Sequence, residues 1–162
     1  MSGAALLASV IATGRLHEVG VGSSLEEVDQ ALKVDFIEVI DEEYGTLRRD
    51  YGFVELYFSG GQGEWVMTSG MVELHRLAAD EEGMAAEWCR DMGVQFPEYC
   101  SWSELREQLS RTPDAPEFNL RSQGGYLEYR APETKVSVLV VEGEEERDDC
   151  PGHGDVWSLS LG

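Results

Sequence analysis

Tyr51-Gly52-Phe53-Val54-Glu55-Leu56-Tyr57-Phe58, interrupted by Gly60-Gly61-Gln62-Gly63 and resumed by Trp65-Val66-Met67-Thr68, is the stretch on which the fold turns. Phe53, Glu55 and Tyr57 alternate with Val54, Leu56 and Phe58, the period of two that a strand requires. The glycines break that pattern without a following helix, so they read as a hairpin turn rather than an anion-binding loop. Downstream, Met71 to Leu77 is expected to form a further strand. Upstream, Asp35 to Ile40 carries the β-formers Phe36, Ile37, Val39 and Ile40, and Asp41, Glu42, Glu43 and Gly45 supply a turn.

Helices are expected before and after this meander. Leu6, Leu7, Val10 and Ile11 recur at helical spacing up to Gly14. Ser24 with Glu27 makes a capping box for a helix from about Leu25 to Lys33, with Leu25, Val28, Ala31 and Leu32 as its apolar stripe. Asp80 to Met92 and Ser103 to Ser110 are rich in helix formers, Ser103 serving as the cap, and Pro113 and Pro116 then end the helical region. Strands return at Glu117 to Arg121, Tyr126 to Arg130, Val136 to Glu142 and Val156 to Leu161. The run Val136-Ser137-Val138-Leu139-Val140-Val141 is apolar enough to lie inside a sheet. The pattern predicts an α+β fold, mostly antiparallel sheet, with short helices at the N-terminus and in the middle of the chain. One domain over 1–162 is expected, with halves at about 1–79 and 80–162. Tyr51-Gly52-Phe53-Val54-Glu55 echoes Gly125-Tyr126-Leu127-Glu128, a hint of internal repetition.

Charge bounds the function. The chain of 162 residues has 32 Asp and Glu against 12 Lys and Arg, a formal net charge of −20. Nucleic acid and anionic membranes are poor partners for such a surface, because phosphates need cationic groups to displace their counterions. A basic protein or a cation is a compatible partner, and the alternative reading is that the acidity serves solubility alone. Three cysteines, Cys89, Cys100 and Cys150, cannot pair completely, and the apolar run from Ala4 to Ala12 lacks the basic flank and the cleavage pattern of a secretory signal, so a cytoplasmic location is expected. Ten Arg against two Lys suggest a GC-rich bacterial genome.

No phosphate-binding loop, nucleophile elbow, dinucleotide fingerprint or zinc-binding histidine pair is present. Cys150 and His153 would make a zinc site only if the fold brought Cys89 and Cys100 to them, and Asp148, Asp149 and Asp155 lack the ordered spacing of a calcium loop. No metal or cofactor is expected. His75, within an expected strand, reads as a hydrogen-bonded structural imidazole. Gly143 to Asp155, with Glu144, Glu145, Glu146, Asp148 and Asp149, reads as a mobile solvated loop.

The residues Gly20 to Val28, Leu47 to Phe58, Trp65, and Glu73-Leu74-His75-Arg76-Leu77 resemble small actinobacterial proteins that are similar to the immunity proteins of polymorphic toxin systems. The resemblance implies a protein that neutralises a cognate toxin domain without catalysing a reaction. A basic nuclease-like toxin would be steered onto an acidic inhibitor. The residues that would meet it are Asp41, Glu42, Glu43 and Tyr44, the acids Glu144, Glu145, Glu146, Asp148 and Asp149, and an exposed Trp102; Trp65 is expected in the core, and Trp88 and Tyr99 are further candidate anchors. The competing readings are an enzyme using a carboxylate or a Cys/His metal site, and an acidic regulatory or scaffold subunit.

Overall fold

A computed structural model describes residues 1–162. It shows an α+β fold: one antiparallel sheet with short helices near the N-terminus and in mid-chain. Helix α1 (Gly3–Thr13) begins at Ser2, whose hydroxyl accepts from the Ala5 N–H, and ends at Gly14 in the left-handed conformation. Helix α2 (Leu25–Ala31) is capped by Ser24 through the Glu27 N–H, as the capping motif requires, and stops before Leu32 and Lys33. Strands β1 (Ile37–Asp41), β2 (Thr46–Asp50), β3 (Val54–Gly61) and β4 (Glu64–Val72) then form a meander. The turn between β3 and β4 is Gln62-Gly63, both at positive φ, which suits the twist of a tight hairpin.

A 3-10 helix follows at Leu74–Ala79, then α3 (Met84–Met92), α4 (Trp102–Ser110), and a second meander of β5 (Asn119–Gln123), β6 (Tyr126–Ala131), β7 (Val136–Val141) and β8 (Val156–Leu161). The eight strands lie in the order β1-β2-β3-β4-β8-β7-β6-β5. Two four-stranded meanders therefore meet through their last strands, joined by the pairs Gly70 with Leu161, Met71 with Ser160 and Val72 with Leu159. β1 and β5 are the two free edges. The sequence echo noted above falls on the starts of β3 and β6, which are not equivalent in this arrangement, so it reflects shared strand composition.

Three elements differ from expectation. Met71 to Leu77 is not a strand: β4 runs without a break to Val72, and the residues beyond turn into the 3-10 helix. β2 lies hidden in the charged stretch Thr46-Leu47-Arg48-Arg49-Asp50, where Thr46 is the one β-branched residue and Leu47 the one apolar residue. The cap of α4 is Ser101, whose hydroxyl accepts from the Glu104 N–H, so the helix starts at Trp102 and Ser103 lies inside it.

One face of the sheet holds Leu47, Leu56, Phe58, Met67, Leu159, Val136 and Val138, all buried, with α2 packed on β4 and α1 on β7 and α4. These side chains belong to a single apolar cluster of 33 buried residues that draws on both meanders and all four helices. Burying them removes enough apolar surface from water to dominate the folding free energy.

Candidate functional site

The acidic residues picked out by sequence fall into two groups that the fold does not bring together. β1 runs toward the turn containing Glu42, Glu43 and Tyr44; β7 runs the opposite way toward the loop of Glu144 to Asp149. The antiparallel order places these loops at opposite ends of the sheet, one at its β1 edge and one near its middle.

In the first group, the Tyr44 N–H donates to Asp41 Oδ1 at 3.2 Å, which closes the turn and leaves the Tyr44 ring 76% exposed. Glu42 and Glu43 are exposed beside it. All five residues of β1 are exposed, including the apolar Ile37 at 53%, Val39 at 50% and Ile40 at 47%. Phe36, Ile37, Val39, Ile40 and Tyr44 form one run of exposed large apolar side chains, whereas Met1, Val21, Val66 and Leu120 lie singly along the chain. A run of this kind is the informative departure from an ordinary surface.

This edge is held rigidly from behind. Arg49 on β2 is buried, and its guanidinium donates to Glu38 of β1 at 2.9 Å and to Asp29 of α2 at 2.6 Å. It also lies 4.1 Å over the ring of Phe36. Glu38 thus points toward the helices, and strand alternation turns Ile37 and Val39 to the opposite face. Adjoining Ile37 is a cleft of about 270 Å³ lined by Asp50, Arg76, Asp80, Glu81 and Glu82. Asp80 accepts from the Ala85 and Ala86 N–H groups and Asp50 from that of Gly52, so Glu81 and Glu82 are the acids there without such ties.

The second group sits on the loop between β7 and β8. Buried Asp155 accepts both Arg147 Nε–H and Arg147 Nη2–H at 2.8 Å, together with the Gly152 N–H at 3.0 Å. Burial pushes the Asp155 carboxyl up, but these hydrogen bonds outweigh it and hold the group below the usual carboxylate range. Arg147 also lies over the Tyr99 ring at 4.8 Å, and His153 Nδ1 sits 2.8 Å from the Glu142 carbonyl oxygen. As expected of a solvated loop, Glu144, Glu145, Glu146, Asp148 and Asp149 are exposed, while its backbone is bonded at the His153 N–H to Glu145 and at the Gly154 N–H to Val141.

Trp102 is also corrected. It is 7% exposed, with its ring 4.5 Å from Tyr129 and edge-on to Phe118 at 5.7 Å. With the cap at Ser101, two residues before the expected Ser103, Trp102 is the first residue of the helix and its indole lies in the core. Trp65 and Trp88 are buried as well.

A charged network that composition alone could not single out lies at the start of β3. Buried Glu55 accepts from Arg76 Nη2 at 3.0 Å and from the Tyr57 hydroxyl, with Arg48 at 3.8 Å. Burial raises the Tyr57 phenol, and the neighbouring Glu55 carboxylate raises it further, to about 12. Glu55 itself is pushed up by burial, yet hydrogen bonds from Tyr57 and Arg76 bring it below its ordinary value. Nearby, His75 lies flat on Trp157 at 4.4 Å, with Nε2 at 3.3 Å from Glu73, and burial lowers its pKa. Glu55 and Glu73 each reach Arg76, and Glu55 also reaches Arg48 and the Tyr57 hydroxyl, so these carboxylates are engaged within the protein.

The cysteines Cys89, Cys100 and Cys150 are free, and burial pushes the Cys100 thiol up to about 11. A thiol so shifted is a poor nucleophile at neutral pH. Cys89, Cys100, Cys150 and His153 are not assembled into a ligand set; no group of three or more His, Cys, Asp or Glu side chains is arranged to hold a metal ion. A cleft of about 560 Å³ between α4 and β5 is floored by Leu109, Phe118 and Tyr129, with Arg106 and Glu117 at its rim. No helix is long and apolar enough to cross a membrane. No protein-family model matches the chain, and no curated protein or solved structure resembles it closely enough to count as a match.

Proposed function

We propose that the protein is a non-catalytic inhibitor of the immunity type, which binds a basic toxin domain and neutralises it. The observation that carries this reading is the exposed segment Phe36 to Tyr44, where apolar side chains that water disfavours stand among Glu38, Asp41, Glu42 and Glu43. Apolar residues give a contact its adhesion and the acids select a cationic partner. The net charge of −20 adds long-range steering toward such a partner. The resemblance of residues 20–77 to immunity proteins supports the same reading, and the free thiols suit the cytoplasm in which a toxin would be met.

A catalytic reading would draw on Glu55, Glu73 and His75, but Glu55 is engaged by Arg76, Arg48 and Tyr57, Glu73 by Arg76, and burial disfavours the charged form of His75. That internal pairing favours a structural role. Co-expression tests the proposal: the chain should restore growth to cells producing the toxin-like domain encoded beside it, and should co-purify with that domain in a complex that weakens as salt is raised. A neighbouring domain that is neither bound nor neutralised refutes it.

A further inference from the structure

We infer that β1 is a docking strand: an extended segment of the basic partner pairs with its free edge and continues the sheet. The inference rests on the reading above and adds to it the binding mode and the sequence type of the partner segment.

The two free edges of the sheet are built differently. β5 carries Asn119, Arg121, Ser122 and Gln123, with Leu120 its one exposed large apolar residue. Polar and charged side chains of this kind are how proteins protect an edge from unwanted pairing. β1 carries Ile37, Val39 and Ile40 exposed, without a proline or a lysine; its two charged residues are acids that bond within the chain, Glu38 to Arg49 and Asp41 to the Tyr44 N–H. Its unpaired backbone groups therefore face solvent beside adhesive side chains, the combination that β-strand addition exploits. The Arg49 clamp to Glu38 and Asp29 fixes the strand in advance, so little ordering is required of this partner on binding.

Charge identifies the occupant. At the start of β1 lies the cleft with Glu81 and Glu82, and at its end lies the turn with Glu42 and Glu43. Five residues of strand span about 17 Å between them. The complementary segment is a short strand with apolar residues at alternate positions and Lys or Arg at both ends. A second copy of this chain fits less well, because it would bring a like net charge of −20 against the same acids.

The test uses the full chain and the peptide Lys-Lys-Val-Thr-Val-Thr-Val-Lys-Lys, with two companions: one with Glu in place of Lys, and one of the original sequence N-methylated at alternate residues. The original peptide is expected to bind, to slow amide exchange in residues 37–41, and to lose affinity at least tenfold on Val39→Lys or Ile37→Lys. Leu120→Lys, the same charge change on the opposite edge, should leave its binding within twofold. The Glu peptide should not bind, and N-methylation should abolish binding by blocking backbone pairing. Equal binding of the N-methylated peptide, protection confined to residues 142–155 or to β5, no binding at millimolar peptide, or a β1-mediated dimer in sedimentation would each overturn the inference. If the neighbouring toxin domain is bound as tightly by the Val39→Lys chain as by the native one, docking through β1 fails while the inhibitor reading stands. If the domain is not bound by the native chain, the inhibitor reading fails.

Discussion

Glu55 shows how a buried charge is made tolerable in this protein. Desolvation opposes its ionisation, and three donors or cations restore it. Glu55→Gln is expected to cost about 2 kcal/mol at pH 7, because charge-assisted hydrogen bonds to Arg76 and Tyr57 are weakened. The sign with pH follows from linkage. The folded-state value lies below the unfolded one, so the stabilisation is complete above about pH 5, where the unfolded carboxylate is ionised too, and disappears as pH falls through the folded value. The difference between native and Glu55→Gln chains in urea titrations should therefore shrink on going from pH 7 to about pH 3. Trp102 makes the opposite kind of statement. Because its ring packs against Phe118 and Tyr129, Trp102→Ala should lower stability by about 3–5 kcal/mol, measured by chemical denaturation. A variant that kept native stability and lost partner binding would return Trp102 to the surface role first expected of it.

At the scale of elements, caps and edges decide more than apolar content does. Ser101 accepts from the Glu104 N–H, so Ser101→Ala should cost about 1 kcal/mol, whereas the exposed Ser103→Ala should stay within about 0.5 kcal/mol. Equal losses in thermal melts would contradict the assigned start of α4. The same elements show what could be read from sequence. β3, β6, β7 and β8 follow from alternation of Val, Leu, Tyr and Phe, and α1 and α2 from their stripes and caps. β2 was illegible because Arg48, Arg49 and Asp50 look like a solvated turn; only the register with Glu38 and Leu56 reveals that Arg49 points inward to an ion pair. With β2 unseen, nothing marked β1 as an edge strand, so Phe36, Ile37, Val39 and Ile40 could be read as β-formers and not as an exposed edge. The acidic residues were legible as a composition. Their division between opposite ends of the sheet was not, since that depends on strand order.

For the whole molecule, charge and core act against each other. A net charge of −20 repels itself, and salt screens that repulsion, so the melting temperature should rise by a few degrees between low and about 0.5 M salt. A fall would mean that ion pairs such as Arg49 with Glu38 outweigh the general repulsion. The 33-residue core crosses the boundary between the meanders, with α1 resting on α4 and β7. A fragment of residues 1–79 is accordingly expected to show no dispersed amide spectrum on its own. The seam between the meanders has a kinetic corollary. Its three pairs, from Gly70 with Leu161 to Val72 with Leu159, link positions about 90 residues apart, so they form only after a long loop has closed. Refolding should thus be limited by the arrival of β8 between β4 and β7, and Leu159→Ala, which weakens that docking, should slow refolding at least as much as it speeds unfolding.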